Sequence, residues 1–223
     1  MLNPDAELNR CVHCILGAFQ GLEVPEIIIV TPATFVLEIA DKFPFARVIP
    51  ESRKGIYSAM NDGARLSNGK NIYFLGKDDI VLPAMTNAFE ILQAVRPFAL
   101  FCDVYWGSIG IYRGSPSPVR LLTRNVCHQG IIYSREAFVK HGPYLRPMRI
   151  QADHFLNIKV VWDRQSVQAV YYFREPVAWY SGAGFSTTNR DPVFWKLYPQ
   201  VMRRYVGGWA ACFLLMYRKL RGV

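Results

Sequence analysis

The chain has 223 residues, of which 51% are hydrophobic and 14% aromatic, and it carries a net charge of +9. That length and apolar share exclude a disordered chain and suit one α/β domain, or one domain plus a tail. The excess of Lys and Arg points to an acidic partner (nucleotide, nucleic acid or anionic membrane face), although a purely solubilising surface has the same composition.

The elements are taken in chain order. Residues 5–20 read as a helix with Leu8, Val12, Ile15, Leu16 and Phe19 on one face. The all-apolar run 26–30 reads as a strand covered on both sides, 34–42 as a helix and 46–50 as a second short strand. Residues 55–69 carry a helical repeat of Ile56, Met60 and Ala64, and stop at Gly69. A strand over 70–75 follows, then a helix from Pro83 to about Val95, with Pro at a tolerated first position. Residues 98–106 and 108–113 predict strands around a turn, and 115–118 a loop. After these come a strand (129–134), a short helix (135–142), a longer helix (151–163) and two late strands (167–173 and 177–181). Alternation of this kind predicts an α/β fold. No apolar run is long enough to span a bilayer.

Five scattered cysteines fit no disulfide framework, so a reducing cytosol is expected. Residues 1–5 turn polar at once, unlike a signal peptide. Cys11-Val12-His13-Cys14 offers thiols and an imidazole within a helical pattern. No second pair with zinc-ligand spacing follows it, although Cys127-His128 could meet it in space.

The most informative stretch is Tyr73–Pro83, where an apolar strand ends at Gly76 and meets the adjacent acids Asp78 and Asp79. Side by side, two carboxylates repel, so the pair needs a counter-charge. A nearby Lys or Arg could supply it, and so could a divalent ion carrying a phosphorylated substrate.

Residues 53–79, with Gly55, Ile56, Tyr57, Ala59, Met60, Asn61, Gly63 and Gly69 in register before the acid pair, resemble the family 2 glycosyltransferases. Residues 127–144 are similar to that family's H-Q-containing segment, 150–160 to its acceptor-side A-D helix, and 180–189 to a glycine- and serine-containing loop of bacterial members. The resemblance implies a GT-A fold, a Rossmann-like mixed sheet with flanking helices, over residues 1–190, with 191–223 as a basic, aromatic helical tail. It implies inverting sugar transfer from a nucleotide-diphosphate donor, expected to be a UDP-sugar, to a glycan or lipid-linked acceptor in cell-surface polysaccharide synthesis. Asp78 and Asp79 would hold Mg²⁺ or Mn²⁺ at the donor diphosphate, and Asp153 would be the general base. Arg53, Lys54, Gly55 and Asn61 would line the donor pocket, and His128 and Gln129 the acceptor side.

Three departures from the family pattern carry expectations of their own. The strand at 26–30 leads into Thr31-Pro32-Ala33-Thr34 with no acid, so nucleotide-base recognition should be altered. Gly76 stands where the family usually has Asn or Asp. The family's first strand would end before residue 3, which predicts an interrupted sheet beside 26–30, filled by an upstream or neighbouring segment. A catalytically impaired relative is therefore the alternative to an active transferase. A nucleic-acid partner is not expected, because Lys and Arg form no cluster with interleaved aromatics outside the tail. The tail's mixture of aromatic, aliphatic and basic residues predicts a membrane contact at the cytosolic face of the inner membrane.

Overall fold

The strand β5 (Ala99–Trp106) organises the molecule because its first six residues are all buried. A run with both faces covered belongs in the centre of a sheet. The computed structural model describes residues 6–107, 109–163, 169–182, 191–208 and 216. Within them, β5 pairs antiparallel with β7 (Ile131–Ser134) and β6 (Gly110–Tyr112), and parallel with β8 (Val170–Tyr180). The six-stranded sheet is completed at its ends by β3 (Asn71–Tyr73) beside β7 and β4 (Ile80–Val81) beside β8.

A second sheet stands apart. It contains β1 (Ile28–Thr31) and β2 (Arg47–Pro50), paired in parallel. Among the described residues β1 bonds only to β2 and β3 only to β7, so the sheet is interrupted beside 26–30 as the sequence predicts. Two helices flank the interruption. On α1 (Ala6–Ala18), Leu8 and Val12 pack on Ile29, Ile39 and Phe43, whereas Ile15, Ala18 and neighbouring Phe19 pack among Val81, Met85, Ala88 and Leu92. On α3 (Ile56–Leu66), Gly63 lies against Val30, while Met60 and Ala64 share a core with Ile72 and Phe74. Side chains of α1 and α3, rather than strand pairing, therefore join the two sheets.

The late strands differ from the sequence reading. Residues 170–180 form one strand, not two, irregular where Cys102 opposes Phe173 and Asp103 opposes Pro176. Three extra residues, Arg174 and Glu175 before Pro176 and Val177 after it, make the irregularity, which admits a proline that a regular ladder would reject. The segment 115–118, read as a loop, leads into α5 (Pro118–Leu121), capped by the Ser117 hydroxyl.

The remaining helices are α2 (Val36–Lys42), α4 (Met85–Val95), α6 (Arg135–His141), α7 (Ala152–Val161) and α8 (Pro192–Val201). The start of the basic, aromatic tail is core. Phe194, Tyr198, Val201 and Met202 are buried together with Leu156, Ile158 and Val160 of α7. Each such side chain contributes roughly 1.5–3 kcal/mol by leaving water. The Asp191 carboxylate caps α8 through the N–H groups of Val193 and Phe194, and its other oxygen accepts from the N–H groups of Arg149 and Ile150. One buried acid thus fastens the tail to the segment leading into α7. Residues 209–215, 217–223 and most of the loop 180–189 lie outside the described residues.

Candidate active site

The acid pair follows β3 on a tight turn. Asp79 is 1% exposed. Its carboxylate accepts from the Gly76 N–H at 2.6 Å and from Gln129 Nε2 at 3.0 and 3.1 Å. Burial, reinforced by neighbouring Asp78, pushes the Asp79 carboxyl up to about 7 against the opposing pull of those two donors. Asp78 is half-buried. Lys77, adjacent in sequence, reaches away to Glu7 on α1 at 3.1 Å. Gly76 has a steric reason to lack a side chain, since a Cβ there would sit 2.8 Å from Asp78 Oδ1 and 3.1 Å from Asp79 Oδ2.

Two adjacent carboxylates, one buried and reluctant to ionise, fit a divalent ion that takes one or two carboxylates together with phosphate oxygens. Among the described residues no three His, Cys, Asp or Glu side chains converge into a closed metal cage. An ion here would therefore draw its other ligands from substrate and water. The Cys11–Cys14 stretch does not compete for that role: the Cys11 thiol donates to the Gly76 carbonyl, and His13 Nδ1 lies 2.7 Å from the Asn9 carbonyl in its own helix.

The second acidic centre is Asp153, near the start of α7 and 6% exposed. The helix-capping position belongs to Gln151, so Asp153 is not a cap. Its Oδ1 accepts from the Tyr57 hydroxyl at 2.8 Å and its Oδ2 from Asn125 Nδ2 at 2.8 Å. The same hydroxyl proton is shared with the Ile150 carbonyl. Burial and the Asp153 charge drive the Tyr57 hydroxyl far above its usual range, so it stays a donor. Asn125 is itself held, with its Oδ1 accepting from Asn157 Nδ2 at 3.0 Å and from the Val126 N–H at 2.9 Å. Asn157 Oδ1 accepts from Tyr133 OH at 2.6 Å. A continuous chain of bonds thus runs from β7 through α7 to the carboxylate.

His128 occupies a short 3₁₀ turn (128–130) after Cys127. Its Nε2 is shielded from water and meets no hydrogen-bond partner. Burial lowers its proton affinity, whereas the charges of Asp153 and Asp78 raise it, with the net change downward. The imidazole is therefore neutral, lies within the field of both acidic centres and keeps one free nitrogen. Next to it, Gln129 turns inward to Asp79 and to the Cys127 thiol, which donates to Gln129 Oε1 at 2.8 Å.

The remaining sequence candidates fall at different depths. Arg53 and Lys54 are exposed on the loop before α3. That loop is tied down where the Ser52 N–H donates to buried Asp62 at 2.8 Å. Gly55 begins the helix at φ 133°, a backbone setting that favours glycine. Asn61 is buried, and its amide braces the backbone of Tyr144 from both sides, donating to the carbonyl at 2.8 Å and accepting from the N–H at 2.9 Å. Tyr57 and Asn125 escaped the sequence reading as site residues. Tyr57 lies inside the helix motif and Asn125 two positions before Cys127, but only the fold shows that both point at Asp153.

Known proteins share this arrangement of elements. Solved structures of S. aureus TarS (residues 1–349) and of the mannosyltransferase PcManGT from Pyrobaculum calidifontis superpose with TM-scores of 0.62 and 0.55. Their identities are 12% and 14%, and the matches cover 92% and 100% of this chain against 62% and 74% of theirs. At that identity the likeness concerns the fold alone, which is GT-A. PGL/p-HBAD biosynthesis glycosyltransferases of Mycobacterium tuberculosis and Mycobacterium bovis are 35% identical over 159 residues, or 69% of this chain. The chain spans 61% of the length of those relatives. The family model for glycosyl transferase family 2 matches residues 2–141, which include α3, the acid pair and His128. With most of its length matched by that model and a fold to suit, the chain belongs to glycosyl transferase family 2.

Proposed function

We propose that the protein is an inverting glycosyltransferase that moves a sugar from a nucleotide-diphosphate donor to a hydroxyl of a glycan or lipid-linked acceptor. The observation that carries this reading is the pair of separate acidic centres, Asp78–Asp79 and Asp153, both of whose charges act on the buried imidazole of His128. A single displacement needs one centre for the leaving group and another for the incoming hydroxyl. TarS has been crystallised with UDP and with UDP-GlcNAc, and PcManGT with GDP-Man and Mn²⁺, which supports a nucleotide-sugar donor. The mycobacterial relatives, named for PGL/p-HBAD biosynthesis, support an acceptor in surface glycoconjugate synthesis.

In this reading Asp153 accepts the acceptor's hydroxyl proton while that oxygen bonds to the anomeric carbon. The bond from that carbon to the diphosphate breaks, and the nucleoside diphosphate departs with the electron pair. Tyr57 and Asn125 hold the carboxylate in one orientation, so the proton finds a fixed acceptor. A divalent ion held by Asp78 and Asp79 would neutralise charge on the diphosphate. Arg53 and Lys54, on their tethered loop, add cationic donors for phosphate oxygens. His128, neutral and with Nε2 shielded from water, could bond the sugar or the acceptor only after the side chains covering it move aside.

The altered Thr31–Thr34 segment keeps the impaired-enzyme alternative in view. Transfer and hydrolysis measured over UDP-, GDP- and dTDP-sugars, with and without Mn²⁺, separate the two. Turnover with any one donor supports the proposal. Donor binding without turnover, given suitable acceptors, supports the impaired relative.

A further inference from the structure

The small parallel sheet carries a carboxylate that the proposed chemistry does not use. β1, α2 and β2 form a strand–helix–strand unit whose strands run parallel, with Thr31 opposite Pro50 at the carboxyl end. In open parallel sheets ligands lie outside the carboxyl ends of the strands, and in dinucleotide-binding units an Asp or Glu closing the second strand bonds the ribose. Here β1 ends in Thr31-Pro32-Ala33-Thr34 without an acid, and β2 is followed at once by Glu51.

Two backbone bonds fix the place of Glu51. Its N–H donates to the Thr31 carbonyl at 2.8 Å, which extends the strand pair by one residue, and the N–H of the next residue, Ser52, donates to Asp62 on α3 at 2.8 Å. The Glu51 side chain is half-buried. Among the described residues the acids engaged in salt bridges are Glu7, Asp62, Asp103 and Asp163, which leaves Glu51 out. Other acids near the ends of these strands are placed differently. Asp62 is buried and spent on Ser52, and Glu38 is exposed in the first turn of α2. Arg53 and Lys54, read above as phosphate donors, follow Glu51 in the same loop. One methylene links a ribose to its phosphate, so groups that hold the two must be close neighbours.

We propose that the Glu51 carboxylate accepts hydrogen bonds from the ribose hydroxyls of the donor nucleotide, and so supplies the nucleoside recognition that the acid-free turn after β1 lacks. A vicinal diol suits a carboxylate, because its two O–H groups meet two acceptor oxygens. A loop glutamate without this role predicts the opposite sign. Its negative charge would only repel a diphosphate, so removing it would tighten nucleotide binding. The proposal rests on the nucleotide-donor reading of the site.

The test is calorimetric binding of nucleoside diphosphates to the full chain with Mg²⁺ present and no sugar or acceptor. UDP and GDP are tried on wild type, and the tighter binder is compared with its 2′,3′-dideoxy analogue and with inorganic pyrophosphate. Wild type should bind the ribonucleotide at least about tenfold more tightly than the dideoxy analogue, the usual worth of hydrogen bonds to a charged acceptor. Glu51→Ala should lose that preference and bind the ribonucleotide about tenfold more weakly, with pyrophosphate affinity unchanged or higher. Melting temperature checks the fold; should the alanine lower it, Glu51→Gln, of the same shape without the charge, takes its place with the same direction expected. A folded variant that binds the ribonucleotide as tightly as wild type, or more tightly, overturns the proposal and leaves the donor reading standing. A loss equal for ribonucleotide and dideoxy analogue assigns Glu51 to the base and overturns the ribose contact, and an equal loss for pyrophosphate overturns any nucleoside contact. If wild type binds neither nucleotide, the donor reading and the proposal fall together.

Discussion

Tyr57 on α3 and Asp153 on α7 are joined by a 2.8 Å hydrogen bond, although 96 positions separate them. The bond links the helix that follows the β1–β2 sheet to the second helix after β7. A second donor, Asn125, holds the other carboxylate oxygen. The proposed base is therefore fixed by two elements that the chain order keeps far apart.

The Tyr57 hydroxyl should matter more for turnover than for folding. Replacing it in Tyr57→Phe keeps the ring against Tyr144 and removes the donor. Stability should fall by about 1 kcal/mol, the net worth of one such bond. We expect kcat to drop by roughly tenfold with the donor KM little changed, because orientation of the base is lost and donor contacts are not. A fall in KM-dependent terms alone, seen in steady-state kinetics, would assign Tyr57 to donor binding.

Asn125 occupies the middle of the chain Tyr133–Asn157–Asn125–Asp153. Asn125→Ala leaves Asn157 Nδ2 and an Asp153 oxygen without this partner. Unsatisfied buried groups cost about 1–3 kcal/mol, so chemical denaturation should show a loss in that range. A change below a few tenths would mean that the network is replaced by water.

Metal binding should depend on pH through Asp79. Its carboxyl titrates near 7 in the folded chain because burial, aided by Asp78, opposes the charged form. A raised carboxyl binds its proton more tightly folded than unfolded. Its contribution is therefore fully present below the unfolded value and is lost as pH rises through about 7. A divalent ion favours the ionised form and offsets that loss. Differential scanning calorimetry should show a larger gain in melting temperature from Mn²⁺ at about pH 8 than at about pH 6. Asp79→Asn should abolish the gain at both. Equal gains with and without the substitution would remove Asp79 from metal binding.

Asp191 offers a purely structural comparison. Asp191→Ala removes the cap of α8 and the acceptor for Arg149 and Ile150. The cost should be at least about 1–2 kcal/mol from the cap alone. Because the released segment leads into α7, transfer should weaken as well, but in proportion to the folded fraction at the assay temperature.

The sequence carried the fold through local pattern. Short apolar runs marked β1, β2, β5 and β7, and the repeat of Met60 and Ala64 marked α3, because burial imposes those periods directly. Long-range pairing was not legible in the same way. Residues 170–180 looked like two strands because Arg174, Glu175 and Pro176 break the apolar run, and only β5 alongside holds them in one line. The acid pair was visible as a charge conflict at Asp78–Asp79. Its surroundings were not, since Gln129 reaches Asp79 from 50 positions away. Asn61 shows the same limit, because a motif position gives a residue type but not the Tyr144 backbone that its amide braces.

The central claim is that Asp153 takes the acceptor proton. Asp153→Asn keeps the shape of the side chain and its capacity to accept from Tyr57, but it cannot act as a base. The most direct measurement is single-turnover transfer by this variant with a nucleotide sugar that turns over in the wild type, alongside donor affinity by calorimetry. Transfer should fall by about 10²–10⁴-fold, the usual worth of a positioned base, with donor affinity unchanged. A folded variant that transfers sugar at near the wild-type rate would contradict the account.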